Sequence, residues 1–451
     1  LSKVFVKLHI GLDDSDSPSW GCTTHLAYLI IKRLLNELPG IQFLDYPNLV
    51  RLNPTVPHKT RGNGAVAIRV LVDEESINRI TELLEDELSS YITKIHHKPE
   101  TNPGLVLYIG EIKQELEHFY KKALTDYVHM DFLLNLIEKL NPNIKVLGKL
   151  SKGIIGALAA IGALKSGDCT YELIAYRDPD NIGRERCINP ESVKKIDTLF
   201  ENSLFGNYDY LDNKPLITPH GPDPVLLGIR GEDPQILVDA FHKLELCENV
   251  SGWIIFRTNQ GTDAHLEVRR EIAEFRPYQT GYIEGYVADP PGSIPGGDVL
   301  ITVSEDLKKR SHSIKAVLFK ETGLNNIGRK LLPGDKVIVY GSGKWWSDLG
   351  VVINVEKIYV FPIRAIKYMN PRCPKCGKRM KSAGKRKGWK CKKCGYKCID
   401  LPKEEVIIER DIKEGYYIPV DHAIKHLNKP LRRINKQKEC GYLPPETMWI
   451  M

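Results

Sequence analysis

At 451 residues, 42% hydrophobic and 27% charged, the chain has the composition of ordinary globular domains and is too long for one core; three or four domains are expected. It has no apolar run near the ~20 residues of a membrane span and opens on Leu1-Ser2-Lys3-Val4 without a leader pattern, so no membrane partner is expected and the chain reads as cytoplasmic. The net charge of +7 is uneven: Phe361–Met451 holds 23 Lys and Arg against 9 Asp and Glu, a balance of +14, so the rest carries −7, the pattern of a nucleic-acid-binding module on a less basic body or of a lysine-rich solvated surface.

Residues 3–12 alternate and end apolar, as a strand entering a core does. Asp13-Asp14-Ser15-Asp16-Ser17-Pro18 follows as a loop, and Leu26, Leu29, Ile30 and Leu34 then give helical spacing from Thr23 to Leu38. Three carboxylates within four residues repel one another, and a fold keeps them together when a cation or a helix N-terminus is near. Oxygen ligands on such a loop suit Mg²⁺ carrying nucleotide phosphates; a helix cap with solvated charges is the alternative. Thr23 either caps the helix or turns a hydroxyl toward phosphate. The stretch Arg51 to Ala65, with Lys59, Arg61, Gly62 and Asn63, is dense in Pro, Gly and donors and could bring cations and N–H groups to phosphates, without matching the P-loop pattern.

Ala65–Asp73 is expected as a strand, Glu75–Leu88 as a helix and Gly104–Tyr108 as a strand; Val225–Arg230, Asp233–Leu246 and Trp253–Thr258 repeat that order. Together they predict a ferredoxin-like domain from 63–110 and 223–276. It would interrupt a discontinuous N-terminal α/β domain of 1–62 and 111–222, whose insertion carries helices around 115–140 and the Gly/Ala-rich helix Gly153–Leu164. Arg230, at a strand end, could reach an anion or pair with an acid; the polar run Thr258–His265 reads as a binding loop.

Alternating strands at Gly281–Val287, Asp298–Val303, His312–Phe319, Lys336–Ser342 and Val351–Val360 predict an OB-fold over 277–365, with a generic small barrel as alternative. Residues 366–451 hold Cys373-x-x-Cys376 and Cys391-x-x-Cys394, whose four thiolates would close the tetrahedral sphere of a structural zinc. The segment between them carries Lys385, Arg386, Lys387 and Trp389, cations and a ring suited to RNA phosphates and an unstacked base; a ribbon that pads a domain interface is the alternative. Of the other six cysteines most are expected to be small buried side chains, and no disulfide framework is expected.

Several of these motifs, in this order, resemble one family. Gly11-Leu12-Asp13-Asp14-Ser15-Asp16-Ser17, Gly21-Cys22-Thr23-Thr24, Arg51 through Val66, Gly153 through Ala163, Glu172 through Arg177, Pro224 through Gly231, the Thr258-Asn259 loop, the OB region, the zinc ribbon and Lys429-Pro430-Leu431 are similar to the tRNA agmatinylcytidine synthetases, over nearly the whole chain. The resemblance implies a kinase-like N-terminal domain and an ATP-dependent ligase that joins agmatine to C2 of the wobble cytidine in the CAU anticodon of isoleucine tRNA. The cytosine carbonyl oxygen would be phosphorylated and phosphate then displaced by the amine. Asp13, Asp14 and Asp16 would hold magnesium and orient ATP, and Thr23 matches a threonine that becomes phosphorylated. Lys59, Arg61, Gly62 and Asn63 would lie near the phosphates, with Arg230 as a further ATP-binding residue. Ser15 departs from the Thr of some relatives. A non-catalytic tRNA-binding protein would leave the acidic loop unexplained; an RNA-binding nucleotidyltransferase or kinase of other product is the third reading.

Overall fold

The computed structural model describes residues 3–17, 20–57, 59, 62–93, 102–165, 167–307, 312–362, 365–384, 387–446 and 448–451. The chain begins β1 (Phe5–Asp13), α1 (Thr23–Glu37), β2 (Gln42–Phe43), β3 (Asn48–Arg51), β4 (Gly64–Asp73), α2 (Ile77–Thr93), β5 (Gly104–Ile109), α3 (Gln114–Thr125), α4 (Met130–Leu140) and β6 (Ile144–Leu147). It continues α5 (Gly153–Gly162), β7 (Thr170–Arg177), α6 (Pro190–Leu199), a short hairpin β8 (Tyr208–Asp209) and β9 (Lys214–Pro215), β10 (Val225–Gly231), α7 (Pro234–Phe241) and β11 (Val250–Thr258).

One nine-stranded sheet runs β10-β7-β11-β3-β4-β1-β5-β6, with β2 on β4. Its pairings are antiparallel except β11 with β3, where only Arg257↔Asn48 and Thr258↔Leu49 meet. The buried Arg257–Asp45 ion pair reinforces that narrow joint. Strand period decides the layering. Leu8, Ile10 and Leu12 of β1 face α1 and α2 in one core, while Ala65, Ala67 and Val106 face α3, α4 and α5 in another. The Gly/Ala composition of α5 is a packing requirement. A Cβ on Gly11 would collide with the Ala157 carbonyl and one on Gly104 with the Gly153 backbone, so helix and sheet meet at backbone distance.

This topology corrects the expected domain division. The strands assigned to one ferredoxin-like domain are not neighbours: β4 sits between β3 and β1, and β5 on β1, whereas β10 and β11 flank β7. Residues 5–147 supply one half of the sheet and 170–258 the other, each contiguous in sequence. Strand-helix-strand patterning is local and does not say which strands will pair.

β12 (Thr280–Val287), β13 (Gly292–Ser293), β14 (Val299–Ser304), β15 (Ser313–Leu318), the short helix α8 (Asn325–Gly328), β16 (Lys336–Trp346) and β17 (Gly350–Val360) follow. β12 pairs with β14 and β16, β15 with β14 and, in parallel, with β17, and β16 with β17, closing a five-stranded barrel around Ile283, Val303, Val339 and Ile353. That connectivity is the OB-fold. β18 (Ala365–Met369) lies outside it, and β19 (Lys381–Ser382), β20 (Trp389–Lys390) and β21 (Lys397–Cys398) form the ribbon. β22 (Glu404–Ile408) pairs with β18 and β23 (Gly415–Tyr417) with β17. Among the described residues no helix is long and apolar enough to cross a membrane.

Disulfides were not expected, yet Cys169 is bonded to Cys440 and Cys187 to Cys247. The partners lie 271 and 60 residues apart, so no local spacing announces them. The first ties the C-terminal segment to the start of β7.

Candidate active site

The alternation that sends Leu12 into the α1 core turns Asp13 toward α5, where Gly156 makes room: a Cβ there would overlap the Asp13 carboxylate. Asp14 adopts φ +52° and its carboxylate accepts the Asn102 N–H at 3.2 Å. Asp16 is buried. Ser15 donates both its N–H (3.4 Å) and its hydroxyl (3.2 Å) to Thr23 Oγ1, fixing the first residue of α1 over the acidic loop. Burial, then the neighbouring Asp14, raises the Asp13 pKa well above the usual carboxylate range. Asp14 and Asp16 add negative charge beside Asp13, but among the described residues the oxygens of the three acids do not all lie within 4.8 Å of one another, and of the three only Asp13 lines the neighbouring cavity.

Asp13 stands in the wall of a cavity of about 360 Å³, with Asn63, the first turn of α5 at Lys152 and Gly156, and Asp126, Tyr127 and His129 from the α3–α4 connection. Leu52, Val56 and Ile155 line the apolar side. Asn63, at φ +49°, closes the loop after β3: its amide donates to Asn53 O at 2.8 Å and its carbonyl accepts the Leu52 N–H at 2.9 Å.

The other residues expected near ATP gather elsewhere. Gly62 packs on Arg51 and His426, so closely that a Cβ would sit 2.6 Å from the Arg51 guanidinium. Arg230 pairs with Glu172 at 3.2 Å and lies 3.5 Å from His426 Nδ1. Lys59 is exposed; partial desolvation and then Lys425 lower its pKa. Arg61 lies outside the described residues. His426 is the member that sequence reasoning missed, because no motif surrounds it. Its Nδ1 is 3.0 Å from Gln260 Oε1, and the Gln260 amide donates to Glu172. Arg51 first, then burial, Arg230 and Lys59 push its pKa well below the ordinary histidine value, so the ring is neutral at neutral pH.

The run Thr258–His265 is a buried bracket, not an open binding loop. Asn259 exchanges hydrogen bonds with the Arg51 backbone (2.8 and 2.9 Å), and the Gly261 and Asp263 N–H groups donate to His426 and Leu427 carbonyls at 2.8 Å. The basic tail is likewise partly structural. Arg433, fully buried, pairs with Asp168 and Glu232; Lys429 pairs with Asp168, Arg432 with Asp197 and Lys425 with Glu356. Part of the +14 is therefore neutralised by acids of the preceding domains.

In the ribbon, the sulfurs of Cys373, Cys376, Cys391 and Cys394 lie within 4.8 Å of one another, close enough for one ion. Lys387 is exposed, while Lys385 and Arg386 lie outside the described residues. Trp389 is not the open platform expected of it: it is half-buried against the cysteine cluster, and its indole donates to Leu401 O at 2.7 Å.

An α/β sheet with an acidic loop at a cavity, followed by an OB barrel and a Cys₄ ribbon, defines the class: a multidomain enzyme built to act on nucleic acid. Family models described as the TiaS TCKD domain, the TiaS FLD domain and the TiaS C-terminal zinc ribbon domain match residues 9–148, 151–265 and 370–412, the first two coinciding with the two halves of the sheet. The chain is 40% identical over 452 residues to TiaS, the isoleucine-tRNA 2-agmatinylcytidine synthetase, of Ignisphaera aggregans, covering 98% of this chain and 96% of that one. It is 43% identical over 440 residues to that of Staphylothermus marinus, covering 96% and 94%. A solved complex of TiaS with its isoleucine tRNA and ATP matches with a TM-score of 0.80 at 35% identity, over 97% of this chain and all of that one. A complex of TiaS with that tRNA, AMPCPP and agmatine matches at 0.77 and 32%, with the same coverage. The chain belongs to the TiaS family of isoleucine-tRNA 2-agmatinylcytidine synthetases.

Proposed function

We propose that this chain, in the cytoplasm, uses ATP to join agmatine to C2 of the wobble cytidine in the CAU anticodon of an isoleucine tRNA. The modified base would pair with adenine, so that AUA is read as isoleucine. The observation that carries the site assignment is Asp13: a carboxylate turned into a cavity, on the acidic loop that Thr23 caps from the first turn of α1, in a chain alike from end to end to proteins solved with this tRNA, an ATP analogue and agmatine.

The chemistry follows from the leaving group. A cytosine carbonyl oxygen cannot leave as oxide. Transfer of a phosphoryl group from ATP to O2 makes it a phosphate ester; the neutral amine then attacks C2, the C2–O bond breaks, phosphate departs and the nitrogen loses its proton. Asp13, Asp14 and Asp16 would hold magnesium, which when bound neutralises charge on the transferring phosphoryl group. The first turn of α5, with Lys152 and backbone N–H groups at its positive end, faces the cavity where phosphates would lie. Asn63 would orient them, while Lys59, Arg51 and Arg230 would supply positive charge beside them, with Gly62 and the neutral His426 ring packed among these cations. The four ribbon cysteines would hold a zinc ion, whose role with four thiolate ligands would be structural. Lys385, Arg386 and Lys387 would contact tRNA phosphates away from the reacting base.

ATP turnover measured with the CAU-anticodon isoleucine tRNA and agmatine added singly and together tests the reading. Turnover coupled to product only when both are present supports it; turnover coupled to another product, or RNA binding without turnover, selects one of the two competing readings.

A further inference from the structure

Two large exposed rings at the junction of the cavity and the OB barrel have no role in the chemistry above. Tyr278 sits at φ +66°, a conformation costly for a residue with a bulky side chain, and the residue is 37% exposed. The backbone is clamped on both sides: the Tyr278 N–H donates to Gly343 O at 2.8 Å, and Tyr278 O accepts from the buried Asn53 amide at 2.7 Å. The fold holds a strained residue and turns its ring outward.

That ring is continuous with the cavity. Its centroid lies 6.0 Å from Tyr127, and Tyr127 lies 4.8 Å from His129; both of the latter line the cavity with Asp13. In the other direction Gly343 leads directly into Lys344, Trp345 and Trp346 at the end of β16. Trp345 shares the inward parity of Val337 and Val339, but the barrel has ended there, so its side chain projects past the rim and is 64% exposed. Tryptophan is seldom left so open without a partner. The β16–β17 hairpin joins the fourth and fifth barrel strands, a connection that OB-folds use to grip oligonucleotides, and Lys344 beside the indole is exposed as well.

We propose that Tyr278 and Trp345, with Lys344, form a stacking track for unpaired nucleotides flanking the reacting cytidine. The inference rests on the reading that this chain modifies a base in an RNA loop. A base delivered to the cavity must be unstacked from its neighbours, and rings along the path would replace the lost stacking without regard to sequence, while the lysine meets a phosphate. A docking site for a protein partner is the competing use of the same surface.

The test uses full-length protein with the variants Trp345→Ala, Trp345→Phe, Tyr278→Ala, Tyr278→Phe and Tyr278→Gly. Each Ala variant should raise the Kd for a transcript of the isoleucine tRNA about 5- to 150-fold, the range for loss of one base–ring stack, with the KM for ATP unchanged. The Phe variants should return near wild type. Tyr278→Gly relieves the backbone and removes the ring, so it should melt no lower than wild type and still bind tRNA weakly, which separates stacking from folding. 2-Aminopurine placed beside the target cytidine should be quenched by wild type and the Phe variants, not by the Ala variants. Wild-type tRNA affinity and quenching in both Ala variants would overturn the track and leave the protein-partner use. Weakened binding in those variants alongside a wild-type chain that modifies no tRNA would keep the track and remove the reaction.

Discussion

Arg432 and Arg433 are adjacent cations with opposite surroundings, and the difference between them can be measured. The Arg433 guanidinium is fully buried and bonded to both Asp168 oxygens at 3.2 and 3.1 Å, to Glu232 at 2.6 Å and to the Gly261 carbonyl. Replacing it with Met leaves two buried carboxylates without their main partner, although Lys429 stays 2.9 Å from Asp168 and Lys438 3.5 Å from Glu232. One-sided loss of a buried pair costs about 3–5 kcal/mol, and the remaining lysines hold this case near the low end, about 3 kcal/mol. Arg432 pairs with Asp197 from a side chain that is 37% exposed, so Arg432→Met should cost about 1 kcal/mol after solvent screening. At roughly 2–4 °C per kcal/mol, Arg433→Met should lower Tm by about 6–12 °C and Arg432→Met by about 2–4 °C. The pH dependence has a fixed sign. Burial pushes the Asp168 carboxyl up, but its bonds to Arg433 and Lys429 outweigh that and hold its pKa below the ordinary value. Its contribution is complete above the unfolded carboxylate range and is lost as pH falls through the folded pKa, so the gap between wild type and Arg433→Met should narrow below about pH 4. Calorimetry on the three proteins at neutral and acid pH decides it. Equal costs for the two arginines, or a gap that widens in acid, would refute the claim that the tail is clamped by buried charge.

Asp16→Asn should lower the modification rate by more than about 100-fold while tRNA affinity stays within about twofold, checked by single-turnover kinetics and filter binding. Cys391→Ser should release the metal, seen by elemental analysis, and weaken tRNA binding more than ATP binding. Cys440→Ser opens the cross-link to Cys169 that spans 271 residues and should cost roughly 2–5 kcal/mol in a denaturant titration under oxidising conditions, with no effect once wild type is reduced. Lys387→Glu should raise the tRNA KM and flatten its dependence on salt, leaving the rate at saturating tRNA unchanged.

Where chemistry was written in contiguous residues, the sequence was legible. The apolar alternation of residues 3–12, the acids after it and the helical spacing from Thr23 place the acidic loop between β1 and α1, and the Cys pairs locate the ribbon. What stayed hidden depended on long-range partners. Nothing near β4 states that it will pair with β1 and β3 rather than with β10 and β11. His426 reaches Gly62 because the tail docks on residues 259–263. The positive charge of that tail looked solvent-facing because the acids that bury Arg433 come from positions 168 and 232. Trp389 looked exposed because it lies between lysines, yet a ribbon this small draws its own core from the nearest ring.

That one chain performs both phosphoryl activation and amine capture on a single cytidine is tested most directly by mass analysis of nucleosides. The CAU-anticodon isoleucine tRNA is incubated with ATP, agmatine and either wild-type or Asp16→Asn protein. Wild type should replace one cytidine by its 2-agmatinyl derivative, dependent on both ATP and agmatine, and the variant should leave the cytidine unmodified. Unmodified cytidine with folded, tRNA-binding wild type, or equal conversion by Asp16→Asn, would contradict it.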